Sequence, residues 1–221
     1  MELIGGGRDS QVFALDERRV LRRAGFDASG EARTMRHARG LGFPAPEVFE
    51  VSADGDLIME RLHGPTLAAE VAAGRIEPEQ AASCLFDLHD RLHRIEAPEW
   101  LPTAPRGVEL GGRSLLHLDL HPENVIVTGE GPHLIDWTNA AAGEPGVDFG
   151  GSWAIMAGVD PAAFGPADGP IAARIGRLCA ALAERVPTDA VDAALAFREA
   201  DPNVDPAEIR TLRSKARSFA A

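Results

Sequence analysis

The chain has 221 residues, 45 % of them apolar and 25 % charged, with a formal net charge of −12. This is an ordinary globular composition, sufficient for one domain or two small lobes, and it excludes a disordered chain. The acidic balance argues against a nucleic-acid backbone as partner and is compatible with a cationic substrate.

No uncharged apolar run approaches the roughly 20 residues of a membrane helix, so no membrane role is expected. The start Met1-Glu2-Leu3-Ile4-Gly5 shows no basic region followed by an apolar run, which points to the cytoplasm. Cys84 and Cys179 lie in apolar, helix-like stretches and read as buried free thiols. Lys215 is the only lysine in the chain.

In chain order, residues 2–15 read as two strands around a Gly5-Gly6-Gly7 turn, followed by a strand at about 18–23. Ser29 is placed to cap a helix to about Arg39, ended by Gly40 and Gly42. Strands Val48–Val51 and Leu57–Met59 flank an Asp54-Gly55 turn. The spacing of Leu85, Leu88, Leu92 and Ile95 predicts a helix between Glu77 and Glu96. A Pro- and Gly-rich connection over 97–113 comes next. Apolar runs at 115–118, 125–127 and 134–135 are short enough for small hairpins, and helices follow from about Val147, interrupted near 160–170. Strands and helices segregate, which favours an α+β fold.

The segment His117-Leu118-Asp119-Leu120-His121-Pro122-Glu123-Asn124 and the later Ile135-Asp136-Trp137 carry the chemistry. Phosphoryl transfer needs a carboxylate to orient and deprotonate a hydroxyl, and oxygen ligands for magnesium. Asp119 suits the first task, Asn124 with Asp136 the second. His117, Asp119 and His121 alternate, so on a strand they would share a face and could ligate zinc in a hydrolase, an alternative that leaves Asn124 and Asp136 without a task.

The pattern His-x-Asp-Leu-His-Pro-x-Asn, then Ile-Asp-Trp, then Gly143-Glu144-Pro145-Gly146-Val147-Asp148 resembles the aminoglycoside phosphotransferase and choline kinase-like family, relatives of the protein kinases. The likeness covers roughly residues 2–150. It implies a bilobal protein kinase-like α+β fold, with a strand-rich nucleotide lobe over 1–62 and a mainly helical lobe over 63–221 that carries the catalytic loop and acceptor site. The implied activity is ATP- and Mg2+-dependent transfer of the γ-phosphoryl group to a hydroxyl of a small molecule. Asp119 is then the base, Asn124 and Asp136 bind metal, and His117 and Asp148 shape the catalytic loop.

The same resemblance assigns the nucleotide-binding residues. Gly5, Gly6, Gly7 and Ser10 form a loop over the phosphates. Kinase-like folds pair a strand cation with a helix glutamate; Glu31 fits the second, and Arg22 stands where the lysine is usual. Strand alternation sends Arg22 and Arg23 to opposite faces, so only one can turn inward. Met59 would abut the adenine, with the Glu60 carbonyl and the Leu62 N–H as its partners. His89 and His93 lie one helical turn apart with no third ligand nearby in sequence, and read as packing residues, like Trp100, Trp137 and Trp153. A catalytically inactive nucleotide-binding protein is the alternative, motivated by the missing lysine.

Overall fold

The structure, a computed structural model, describes residues 1–6, 10–164, 166 and 168–220, without the side chains of Ala162, Ser218 and Ala220. Its contacts divide the chain into two compact units. One comprises Met1–Pro65 with Val125–Thr138, the other Thr66–Asn124 with Asn139–Ala221.

The first unit is built on five antiparallel strands: β1 (Glu2–Gly6), β2 (Gln11–Ala14), β3 (Arg19–Arg23), β4 (Val48–Val51) and β5 (Leu57–Glu60). They pair in the order β1-β2-β3-β5-β4. The expected glycine turn is displaced: β1 runs through Gly5 and Gly6 and pairs with Val12 and Gln11, and Gly7 lies outside the described residues. Between β3 and β4 runs helix α1 (Ser29–Gly40), which buries Ala32, Met35 and Ala38. Ser29 does not cap it. The N-cap is Ala28, and the Ser29 N–H donates to Asp27 Oδ1 at 2.9 Å, because Asp27 stands one position further out and can turn its carboxylate back.

The hairpin β7 (Val125–Thr128) and β8 (Gly131–Leu134) belongs to this unit. The Val127 N–H donates to the Pro65 carbonyl at 2.9 Å, and the Leu134 N–H to the Pro44 carbonyl at 2.9 Å. Gly64 makes the first of these approaches feasible: its φ is +158°, and a Cβ there would fall 2.0 Å from the Val127 carbonyl oxygen. Any other residue would push the hairpin away. Trp137 is buried and meets Phe43 edge-on, with ring centroids 5.4 Å apart.

The second unit is mainly helical, with α2 (Leu67–Ala72), α3 (Pro78–Leu92), α4 (Pro145–Gly158), α5 (Pro170–Ala183), α6 (Val191–Glu199) and α7 (Pro206–Ala216). Helix α2 is absent from the sequence reading; it is short, and Thr66 starts it by accepting the Ala69 N–H at 3.1 Å. Helix α3 begins with a reciprocal cap between Glu77 and Gln80 around Pro78 and buries Leu85, Leu88 and Leu92. Full burial of each such leucine contributes about 1.5–3 kcal/mol. Leu178 and Leu182 of α5 are buried as well.

The run at 115–118 does not form a hairpin with its neighbours in sequence. Instead β6 (Ser114–Leu116) pairs with β9 (Ala141–Gly143). A compact apolar group of Leu110, Leu116, Leu118, Ala141, Val147, Ala194 and Phe197 packs beside this ladder. Cys84 and Cys179 are free but half-buried rather than buried, and desolvation pushes both thiols up. Of the tryptophans, Trp137 and Trp153 are core residues, while Trp100 is 41 % exposed. Among the described residues no helix is long and apolar enough to cross a membrane.

Candidate functional site

In the first unit, β3 turns Arg22 inward and Arg23 outward, as strand alternation requires. Arg22 is buried, and its Nη1 donates to Glu31 Oε2 of α1. Its Nη2 lies 3.1 Å from Asp136 Oδ1 and 3.3 Å from the Thr138 hydroxyl. Arg23 instead reaches Asp56 at the surface, at 3.3 Å. Glu31 also accepts the Trp137 N–H at 3.2 Å, so one carboxylate fixes both the arginine and the segment that carries Asp136. Burial pushes the Glu31 carboxyl up; Arg22 opposes this, and the charge of Asp136 adds to it.

Asp136 stands at φ +63°, a left-handed conformation that costs a non-glycine residue about 1–3 kcal/mol. The bonds from Arg22 and Thr138 to its Oδ1 hold it there, while Oδ2 takes neither. Its side chain is 39 % exposed. Thr138 is a member of this network that the sequence reading did not single out. Its hydroxyl lies 3.0 Å from Asp136 Oδ1 and 3.2 Å from Glu31 Oε2, and only its position two residues after Asp136 could have marked it.

In the second unit, the loop after β6 presents Asp119. The Asn124 amide donates to the Asp119 carbonyl at 2.9 Å and to its carboxylate Oδ2 at 3.2 Å, which leaves the Asn124 oxygen directed away from that bond. Leu118, just before Asp119, has φ +61°. Asp148, wholly buried on α4, holds this strained turn: its Oδ1 accepts the Leu118 N–H at 2.8 Å and its Oδ2 the His117 N–H at 2.9 Å. The His117 side chain is wholly buried, so its contribution is to the loop.

The third polar partner that the His89–His93 spacing lacked in sequence is Asp148. His93 Nε2 lies 3.0 Å and His89 Nδ1 3.5 Å from Asp148 Oδ2. The Ser152 hydroxyl donates to the Leu120 carbonyl at 2.5 Å and lies 2.8 Å from His89 Nε2. Desolvation drives His89 toward its neutral form. Desolvation also works against the Asp148 charge, but His89, His93 and the two backbone N–H donors outweigh it and hold the carboxyl well below its usual range. These side chains form a brace beneath the loop.

Residues 117–121 are not a strand, since β6 ends at Leu116 and Leu118 is left-handed. The alternation that would align His117, Asp119 and His121 is therefore broken. Among the described residues, the only three histidine, cysteine or acidic side chains that gather their donor atoms within 4.8 Å of one another are His89, His93 and Asp148.

The other residues expected at the site fall in the first unit. Gly5 and Gly6 end β1, and Ser10 is half-buried before β2. Met59 is buried in β5 opposite Val20, Glu60 pairs with Arg19, and Leu62 follows half-buried.

An acidic-amide pair on a clamped loop, and a strand arginine bound to a helix glutamate on a strand-rich unit, fit a kinase-like fold. The model of the phosphotransferase enzyme family matches residues 71–184, and the chain belongs to that family. A thiamine kinase of Salmonella paratyphi A is 27 % identical over 183 residues, which cover 68 % of this chain and 63 % of that protein. The chain thus spans about 63 % of the length of that relative.

Among solved structures, a gentamicin complex of APH(2'')-IIa is similar with a TM-score of 0.60, at 15 % identity, covering 98 % of this chain and 89 % of the other. ADP-bound aminoglycoside phosphotransferase APH(2'')-Ib is similar at a TM-score of 0.57 and 15 % identity, covering 98 % and 93 %. These likenesses show the fold, and they bear out the α+β, protein kinase-like class read from the sequence.

Proposed function

We propose that the chain transfers the γ-phosphoryl group of ATP to a hydroxyl of a small molecule, with magnesium. The observation that carries this reading is the pairing of Asp119 with Asn124 on a loop whose strained backbone is pinned by Asp148. The family membership and the adenine nucleotide in one similar structure support it.

In this reading Asp119 orients the acceptor hydroxyl and takes its proton as the oxygen bonds to phosphorus and the bond to the departing ADP breaks. Asn124 keeps the Asp119 carboxylate in place. The residues fit a hard cation: the Asn124 amide nitrogen is spent on Asp119, so its oxygen is turned out, and Asp136 keeps one oxygen clear of Arg22 and Thr138. Asn124 and Asp136 would hold magnesium, which supplies neutralisation of phosphate charge.

Arg22, aligned by Glu31, steadies nucleotide phosphates in place of the usual lysine; its planar fork can keep Glu31 and still present a donor, which a single ammonium does less well. Gly5, Gly6, Gly7 and Ser10 cover the phosphates, and Met59, Glu60 and Leu62 take the adenine. Residues 1–62 thus supply nucleotide contacts, and 63–221 the base and the acceptor site, with Asp136 belonging to the first compact unit.

Asp119→Asn is expected to abolish transfer and leave nucleotide binding measurable. An acceptor screen with Mg-ATP that follows ADP release tests both statements. Near-normal turnover of the variant would overturn the assignment of the base. Nucleotide binding by the unmodified protein without turnover on any hydroxyl compound would favour an inactive nucleotide-binding protein.

A further inference from the structure

Arg22 stands where a lysine is usual, and a guanidinium behaves differently from an ammonium beside a carboxylate. Its Nη1 is taken by Glu31 Oε2. Its Nη2 serves two acceptors, Asp136 Oδ1 at 3.1 Å and the Thr138 hydroxyl at 3.3 Å. A hydroxyl has one proton to give and lone pairs to accept with. Having accepted from Arg22, Thr138 turns its own proton to a carboxylate, either Asp136 Oδ1 at 3.0 Å or Glu31 Oε2 at 3.2 Å. All four residues belong to the first unit.

Guanidinium and carboxylate groups settle readily into two-point pairs, in which the arginine covers both oxygens. That pairing would spoil Asp136, because Oδ2 is the oxygen that Arg22 and Thr138 leave clear for a hard cation. Thr138 opposes it twice over. The hydroxyl occupies the Nη2 donor that would otherwise turn to Oδ2, and it adds a second donor to Oδ1, so the carboxylate gains nothing by rotating. A lysine, as a compact point charge, has no fork to close over both oxygens and does not call for the hydroxyl. Thr138 is itself exposed, so water could satisfy its hydroxyl, yet its side-chain partners are Arg22, Glu31 and Asp136.

We infer that Thr138 is the positioning residue that an arginine at position 22 requires: it stops Arg22 from closing over Asp136 and keeps Oδ2 for the metal. This rests on the proposed function for the assignment of Asp136 to magnesium, and deepens it by naming the residue that keeps that ligand open. In this role Thr138 touches neither nucleotide nor acceptor. It acts through Asp136.

Mn2+ suits the same oxygen ligands as magnesium, and its binding to the intact chain with saturating ADP is read by electron paramagnetic resonance without any turnover. Thr138→Val keeps the shape and removes the hydroxyl. It is expected to weaken Mn2+ binding about 10–100-fold, the range for partners that orient a metal ligand. Thr138→Ser should keep the affinity of the unmodified protein, and ADP affinity measured in EDTA should be the same in all three. In an Arg22→Lys background the valine exchange should lose most of its effect, since the fork it releases is gone. Equal Mn2+ affinity in the folded valine variant and the unmodified protein overturns the inference. So does a loss of ADP affinity in EDTA that matches the loss for Mn2+, since the hydroxyl would then brace the nucleotide unit as a whole. An equal loss in the Arg22→Lys background overturns it too, by making the hydroxyl independent of the arginine. If Thr138→Val unfolds, Thr138→Ala provides the same test, and unfolding of both makes Thr138 a structural residue and overturns the inference. Mn2+ binding that behaves as expected without turnover on any hydroxyl compound would leave this inference standing and remove the kinase reading. No Mn2+ binding by the unmodified ADP complex would remove the metal assignment and this inference with it.

Discussion

Asp148 has no exposed surface, yet it does the most specific work at the site: it accepts the backbone N–H groups of His117 and Leu118 and the ring of His93. Leu118 is held left-handed between them, immediately before Asp119. Asp148→Asn keeps the shape but replaces one acceptor oxygen with a donor that faces an N–H, so a buried donor loses its partner. The expected cost is about 1.5–3 kcal/mol of stability, measurable by urea unfolding. Because the loop is released, turnover should fall on the order of 10²-fold while nucleotide affinity is kept. A variant that loses stability but retains turnover would place Asp148 outside the positioning of Asp119.

Among the elements, β3 and α1 are tied by Arg22 and Glu31, two charges almost wholly removed from water. Arg22→Met leaves the Glu31 carboxylate buried with neither its cation nor the bridge to Asp136. The expected destabilisation is about 3–5 kcal/mol, read from chemical unfolding. Arg22→Met combined with Glu31→Met should recover much of that stability and none of the nucleotide affinity, which separates the two roles of the pair.

Strand alternation showed only that one of Arg22 and Arg23 could turn inward; the choice of Arg22 came from the family resemblance, which puts the cation directly after the Val20-Leu21 pair. The displacement of the β1–β2 turn past Gly6 was not legible, since glycines serve a strand end as readily as a turn and only the pairing with Gln11 and Val12 decides. Likewise β6 and β9 are three residues each and separated by 24 residues, too short and too far apart for any local pattern to announce their pairing.

For the molecule as a whole, the buried titratable groups give stability a pH dependence of mixed sign. His89 has its folded pKa below the ordinary 6.5, so the unfolded chain binds more protons and stability is lost as pH falls through 6.5 toward the folded value. Asp148 is depressed below 3.8, so its contribution is present above that value and is lost as pH falls further. Glu31 is raised above 4.5 and acts oppositely: its contribution is present below 4.5 and is lost as pH rises through its folded pKa. Thermal unfolding should therefore show a decline in Tm between about pH 7 and pH 6, and His89→Gln should flatten that limb. An unchanged slope in the variant would assign the limb to another group.

The sequence by itself determined the α+β, kinase-like class, the β3 arginine with its α1 glutamate, and the loop bearing Asp119 and Asn124. The α+β class follows from the segregation of strands and helices, and the kinase-like class, the arginine–glutamate pair and the loop roles from the resemblance carried by a short string of residues. Only the tertiary structure decided that Asp148 joins His89 and His93 across 59 and 55 residues, and that Arg106 meets Phe197 and Asp201 across 91 and 95. Such partners are chosen by how the helices pack around β6 and β9. A charge or ring carries no mark in its own neighbourhood of which distant residue will cover it.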